Sequence, residues 1–468
     1  MSKNHTFGIR EVLENNCCIG CGGCVYAGED TSIDLNRDGL YVAKLGSDSS
    51  DLLDQVCPFS DGSTNEDELG TILYGKLPHK SSAIGRYSSL YAGRVSSDEV
   101  RVGSSSGGLV SWIASKLLTQ GTVNGIIHVK SSDGPEGPLF QFGLSHSVED
   151  LLRNRKSIYY PVEFSKALKS ARQQGGKYAF IGIPCHIKAI RQLQMVDDWA
   201  KDCIPVTIGL VCGHMKSTGF AESLAWQVDV EPQNLLSVDF RVKDPMAPAN
   251  RYKFSATAAS DRQTHERANF EMIGSNWGHA FFQPNACNYC DDVFAELADI
   301  SLGDAWLPRF QSDPLGHNVV VVRAEHLDSI LREGVVDAEV VLEELDEEEV
   351  FETQAGNIRH RRIGLSVRTA DDDAMRIKHP SKRVPPTYAT ADAKRIDLVR
   401  LRRRSSFESF DAFNEAKKRS DFNVFRKRMA PIIRKYDAVS ATARSEKVLA
   451  RMPIHSQKYL RRLLNRIR

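Results

Sequence analysis

Short apolar runs alternate with amphipathic stretches through the middle of the chain. LYAGRV from Leu90, VNGIIHV from Val123, KYAFIGIP from Lys177, PVTIGLVC from Pro205, DISLGDAW from Asp299 and NVVVVRAEH from Asn318 have the length and continuous hydrophobicity of buried strands. Between them, LVSWIASKLLTQG and VEFSKALKSARQQGG carry apolar residues at helical spacing and end in glycine, as helix stops should. This alternation predicts an α/β core with a mixed sheet, part of it parallel. Residues 246–285 show no period and are expected to form a long irregular excursion, and residues 1–85 a loop-rich cap. No internal repeat is present.

Composition narrows the class. The chain has 468 residues, 41% apolar and 26% charged, enough for roughly two to four folded units and incompatible with disorder throughout. No run approaches the roughly 18–20 apolar residues of a membrane span, and MSKNHTFGIREVLENN lacks the basic and apolar regions of a secretory signal. A soluble, cytoplasmic protein is expected. Ten cysteines are too few for a disulfide scaffold in a chain of this size, so their spacing must carry the meaning.

Charge divides the chain. From residue 391 onward there are 22 Lys+Arg against 8 Asp+Glu, while EVVLEELDEEEVFE at Glu339–Glu352 is strongly acidic. A basic tail of this kind can fold back on the acidic run, or bind an acidic partner or an anionic membrane surface. Nucleic acid is not expected, because no binding motif accompanies the charge. Phe407, Phe410 and Phe413 recur every three residues, which predicts amphipathic helices in this tail.

The cysteines fall into two sets. Cys18, Cys21 and Cys24 stand at two-residue intervals among glycines, and Cys57 arrives later followed by Pro58. That is the ferredoxin-type pattern for a [4Fe–4S] cluster; structural zinc usually takes two separated Cys-x2-Cys knuckles. The constant x2 interval selects Cys18 over its neighbour Cys17. Cys185, Cys212 and the pair Cys287/Cys290 form the second set, the first two at ends of predicted strands. Spacing alone allows a second cluster or zinc there. Cys203 fits neither set and is expected in the core. A third motif, Gly103, Ser104, Ser105, Ser106, Gly107 and Gly108, leads directly into the helix from Leu109. It offers backbone N–H groups to an anion or simply caps the helix.

In this order, together with RKSIYYPVE at Arg155–Glu163, the G-x-P-C turn ending at Cys185, GLVCGH and CNYCDDVFAELADISLGDAW, these blocks resemble the coenzyme F420 hydrogenase/dehydrogenase beta-subunit family. That family also includes plant 7-hydroxymethyl chlorophyll a reductase. The resemblance spans roughly residues 10–325. It implies FAD as a cofactor, with Gly103–Gly108, Lys156, Ser157 and Tyr159 in its pocket, and it turns the second cysteine set from zinc to a second [4Fe–4S] cluster. His186 departs from the pattern, since many members carry glutamine there, and the tail lies outside it.

The expected organisation is therefore a [4Fe–4S] ferredoxin-like region at 1–85, a flavin-binding α/β domain at 86–330, an acidic connector at 331–390 and a basic helical tail at 391–468. The expected activity is electron transfer between a one-electron carrier such as ferredoxin, or reduced coenzyme F420, and a small two-electron substrate. Flavins exchange one or two electrons, whereas iron–sulfur clusters pass one at a time. Lys156, Tyr159, His186, His214, Asp304 and Arg309 are candidate polar groups near the reacting centre, with no general acid assigned. An electron-transfer subunit without its own substrate and a zinc-bearing structural protein are the alternatives. Homo-oligomerisation is compatible with each.

Overall fold

The computed structural model describes residues 7–46, 51–132 and 137–450, with side chains to residue 441. Its centre is an eight-stranded mixed sheet built from β1 (Ser89–Val95), β2 (Gly125–Ser131), β3 (Phe140–Ser145), β4 (Tyr178–Gly182), β5 (Val206–Leu210), β6 (Ile300–Asp304), β7 (Asn318–Val322) and β8 (Val340–Glu344). The spatial order is β8-β1-β7-β6-β5-β4-β2-β3. Pairs β2/β4, β4/β5 and β5/β6 are parallel, and the remaining pairs antiparallel. The central strands are buried on both faces, which is why NVVVV and YAFIG read as unbroken apolar runs. One face packs on Ile113, Leu117 and Leu331. The other packs on Phe164, Leu168 and Ile187. Helices α1 (Leu109–Thr119), α2 (Ser165–Gln174), α3 (Pro184–Val196) and α4 (Thr218–Trp226) lie between strands, and α1 and α2 stop near Gly121 and Gly175, both at positive φ.

Two regions differ from the sequence expectation. The excursion is ordered: Leu235–Val242, Lys253–Ala258 and Thr264–Ala268 form a three-stranded antiparallel sheet. Its outer strand, THERA, is largely solvent-exposed and therefore lacks an apolar signal. The acidic segment opens with β8, an edge strand whose glutamates face water. Those acids are held by the body: Arg309 takes Glu343 and Glu349, and Lys116 takes Glu339.

Beyond α5 (Ala355–Arg361) and α6 (Ile363–Met375), the basic segment forms an antiparallel pair, α7 (Ala393–Arg419) and α8 (Phe422–Ala450). The turn between them uses Ser420 in the left-handed region. The end YLRRLLNRIR lies outside the described residues. Helix α7 is docked on the core: Phe413 meets Phe282 at 5.3 Å, and Phe282 stacks on Phe425 at 5.7 Å. Ser409 Oγ accepts from the Phe282 N–H, and Ser406 Oγ donates to the Gln283 carbonyl. Arg400 and Arg403 pair with Asp371 and Asp372, and Lys417 with Glu222. The positively charged helix thus finds its acids on α6 and α4.

The three phenylalanines are not equivalent. Phe413 is 2% exposed and Phe407 45%. Phe413→Ala is expected to lower unfolding free energy by about 3–5 kcal/mol, and Phe407→Ala by at most about 0.5 kcal/mol, in denaturant titrations. Truncation after Thr390 should expose Phe281 and Phe282 and yield an unfolded or aggregated chain by circular dichroism, whereas a detachable tail would leave the remainder folded.

Candidate functional site

Strand direction gathers the chemistry at one edge. Cys185 follows β4, Cys212 follows β5, Asp304 ends β6, and the Gly103–Gly108 loop returns beneath the end of β1, where Val95 N–H donates to the Gly107 carbonyl. The carboxyl ends of parallel strands are where open α/β sheets place ligands.

The first cysteine set sits in the N-terminal cap. Cys18, Cys21 and Cys24 lie between helix Ile9–Glu14 and helix Gly23–Ala27 or at the start of the latter, and Cys57 follows helix Asp51–Val56. The tight run requires its glycines: Gly20 and Gly22 have positive φ, and a Cβ at Gly20 would sit 2.6 Å from Tyr41. Gly20 N–H donates to Cys18 Sγ at 3.4 Å and Gly23 N–H to Cys21 Sγ at 3.5 Å. Burial raises all four thiol pKa values, Cys57 to about 12, and Cys21, Cys24 and Cys57 also feel the charge of neighbouring thiols in the set. Four thiolates cannot ionise together in such a place without a cation to compensate them. Cys17 is turned to other partners. Its S–H donates to the Asn15 carbonyl, and Asn285 reaches its sulfur.

The second set closes around the strand ends. Cys287 and Cys290 lie in and just after the turn Asn285–Tyr289, and Met215 N–H donates to Cys287 Sγ at 3.3 Å. Cys185 is influenced by Cys290, Cys212 and Cys287, and also by Cys21 of the first set. The two sets are therefore neighbours. Cys185 and Cys290 of the second set line a shallow surface cleft with Lys188 and with Pro58, which follows Cys57 of the first. Among the described residues no three His, Cys, Asp or Glu side chains converge tightly enough for a single metal ion.

The glycine–serine loop is densely bonded. Ser104 Oγ donates to Val100, Ser106 Oγ donates to His317, and Ser105 Oγ accepts from Ser157 N–H at 2.6 Å. The loop therefore does meet the Arg155–Ser157 segment, and Arg155 Nε donates to the Gly103 carbonyl. The first helical N–H, Leu109, donates to Asn318 Oδ1. A Cβ on Gly107 would lie 2.7 Å from the Gly93 carbonyl, so the sheet itself demands glycine there.

The polar candidates separate. Asp304 makes a two-point pair with Arg241 at 2.7 and 3.1 Å, and Lys156 pairs with Asp239. Tyr159 packs edge-on against Trp277, which contacts His214 at 4.3 Å. These residues form a continuous wall beside the second set. His186 does not belong to it: the ring packs among Phe142 and Phe164, and burial pulls its pKa down to about 3, so it is a neutral core residue. Arg309 is on the surface with Glu343 and Glu349. Cys203 is half-buried. Sequence reading missed Arg241, Trp277, Lys216 and Arg361. Lone residues in aperiodic segments give no pattern to find.

Residues 90–169 match the N-terminal domain, and residues 175–348 the C-terminal domain, of the coenzyme F420 hydrogenase/dehydrogenase beta subunit. The chain belongs to that beta-subunit family. The coenzyme F420-dependent sulfite reductase of Methanocaldococcus jannaschii is 21% identical over 347 residues, covering 70% of this chain and 48% of that protein. The chain thus spans about half the length of that relative. The beta subunit of coenzyme F420 hydrogenase from Methanosarcina barkeri is 24% identical over 259 residues, 54% of this chain and 81% of that one. A subunit of the F(420)H(2) dehydrogenase of Methanosarcina mazei is 24% identical over 333 residues, 68% and 82% respectively. The matched family domains leave out Cys18–Cys57 and everything after residue 348, including α5 to α8.

Lys243 braces the loop at this edge of the sheet. Its ammonium donates to the carbonyls of Arg101, Ser106 and Leu315. Burial, then Arg241, Arg101 and Lys156, pull its pKa from 10.5 to about 7. The folded state therefore holds fewer protons than the unfolded chain between those values, so this group's penalty is full below about 7 and gone above 10.5. Unfolding free energy should rise across that window relative to Lys243→Met, measured by denaturant titration at several pH values. Parallel pH profiles for the two proteins would contradict this.

Proposed function

We propose that the chain is an iron–sulfur flavoprotein oxidoreductase. It passes electrons between a one-electron carrier of ferredoxin type, or reduced coenzyme F420, and a two-electron substrate. The observation that carries this reading is the adjacency of two four-cysteine sets to an aromatic and cationic wall at the carboxyl edge of the sheet. The donor chemistry fits: buried thiols in fours, with backbone N–H groups on their sulfurs, suit [4Fe–4S] clusters held by Cys18, Cys21, Cys24 and Cys57, and by Cys185, Cys212, Cys287 and Cys290.

The wall suits FAD. His214 Nε2 and Arg241 Nε are buried without partners, next to the faces of Trp277 and Tyr252. An isoalloxazine bound there would supply hydride and single-electron chemistry. Tyr159, Trp277 and Phe220 exclude water from that wall, Arg241 holds Asp304 in place, and the loop braced by Lys243 sets the backbone around Gly103–Gly108. His214 is kept neutral by burial and by Lys216, so it accepts the hydrogen bond from Arg402 at Nδ1.

A second reading, a redox subunit that hands electrons to a larger assembly, is favoured by the names of two relatives, which are themselves subunits. No helix among the described residues is long and apolar enough to cross a membrane. A cytoplasmic setting, in which thiols stay reduced, suits either reading.

Anaerobically purified protein should contain about eight iron and eight sulfide per chain, with flavin bands in its visible spectrum. Cys18→Ser should remove about half the iron, and Cys17→Ser should leave it unchanged. A colourless protein with stoichiometric zinc would refute the reading. Reduction of a small-molecule acceptor by the isolated chain separates the enzyme from the electron-transfer subunit.

A further inference from the structure

The two cysteine sets differ in what surrounds them. Around the first, burial dominates, and the lesser influences are its own thiols, backbone N–H groups and, at Cys57, the Asp54 carboxylate. Around the second are buried cations. Arg361, at the C-terminus of α5, is 1% exposed. Its guanidinium donates to the Cys287 carbonyl at 2.5 Å, to the Cys290 carbonyl at 3.5 Å and to the Gly213 carbonyl at 2.5 Å. It thereby ties the loop after Cys212 to the turn carrying the other two ligands. The charges acting on it are those of Cys290, Cys287, Cys212 and Cys185, all four members of the set. Lys216 and Arg402 also lie within reach of Cys287. Of the acids facing the set, Asp291 is paired with Arg383, with Lys382 and Arg362 also acting on it, whereas burial and the neighbouring Glu296 hold Asp292 towards its neutral form.

We propose that Arg361 is a positioning residue that clasps the ligand loops of the second set and poises the centre held there at a higher potential than the first. This rests on the reading of both sets as [4Fe–4S] sites. Reducing such a centre adds one negative charge and makes or breaks no bond. A buried full charge beside it stabilises the reduced form, and low local polarisability strengthens the effect. The N–H groups on the first set act in the same direction, but a dipole's influence falls faster with distance than that of a full guanidinium charge anchored on the Cys287, Cys290 and Gly213 carbonyls. The residue lies beyond the family-matched domains, which end at residue 348.

The test is a redox titration of iron-loaded full-length protein followed by electron paramagnetic resonance. Wild type should show two midpoints. Arg361→Gln should move the higher one down and leave the lower unmoved, while Arg361→Lys, which keeps the charge, should restore most of the shift. Cys18→Ser, which removes the first centre, should leave the higher midpoint. That measurement assigns the higher midpoint to the second set, and if Arg361→Gln fails to load, the midpoint of Arg361→Lys, whose shorter ammonium cannot span the three carbonyls, tests the clasp. Midpoints unchanged in iron-loaded Arg361→Gln, or survival of the lower midpoint in Cys18→Ser, would overturn the proposal alone. Wild type without iron would overturn it together with the reading it rests on.

Discussion

Cys185 and Cys212, far apart in the chain, become neighbours because parallel strands end side by side, and the turn Asn285–Tyr289 brings Cys287 and Cys290 to the same edge. Neighbouring strands run roughly 4.8 Å apart, so the residues just after β4 and β5 are brought within reach of one another without any help from local sequence. Burial then sets the electrostatic problem. Thiols in a dry environment resist ionisation, as the raised pKa values of Cys185, Cys212 and Cys290 show, and the last is pushed up to about 11. A set of this kind is stable as thiols, or as thiolates around a cationic centre.

The C-terminal helices belong to the same solution. The turn that delivers Cys287 begins at Ala280 and Phe282, both at positive φ, a region non-glycine residues rarely occupy. Its backbone groups find partners outside the sheet, on Ser406 and Ser409 of α7, and its two phenylalanine rings are covered by Phe413 and Phe425. Buried backbone groups must be paired, so a helix outside the family-matched domains holds the turn that carries two cysteines of the second set. Arg361 and Arg368 add the same support from α5 and α6, Arg368 through the Asn288 carbonyl.

What could be read in advance follows from this physics. Strands buried on both faces, such as β7, announced themselves, and the glycines of the triple cysteine run do form a tight turn, with Gly20 and Gly22 both at positive φ. Strand β8 was hidden, since an edge strand with exposed glutamates looks like an acidic linker, whereas β3 carried a readable apolar alternation in FQFGLS that the sequence reading passed over. His186, a candidate by its place beside Cys185, turns its ring towards phenylalanines, an orientation that sequence does not reveal. Arg361 was invisible, as one arginine among HRR has no period, and only the fold shows which guanidinium turns inward. The phenylalanine spacing in α7 was visible, but the acidic run looked the natural partner of the tail, and body cations had already claimed it.

The central claim is that both cysteine sets are ligand sets for iron. Crystals of the anaerobically purified chain, measured on both sides of the iron and zinc absorption edges, address it directly. Anomalous density for iron is expected at two places, one enclosed by Cys18, Cys21, Cys24 and Cys57 and the other by Cys185, Cys212, Cys287 and Cys290. A zinc signal at either place, or free thiols at both, would contradict it.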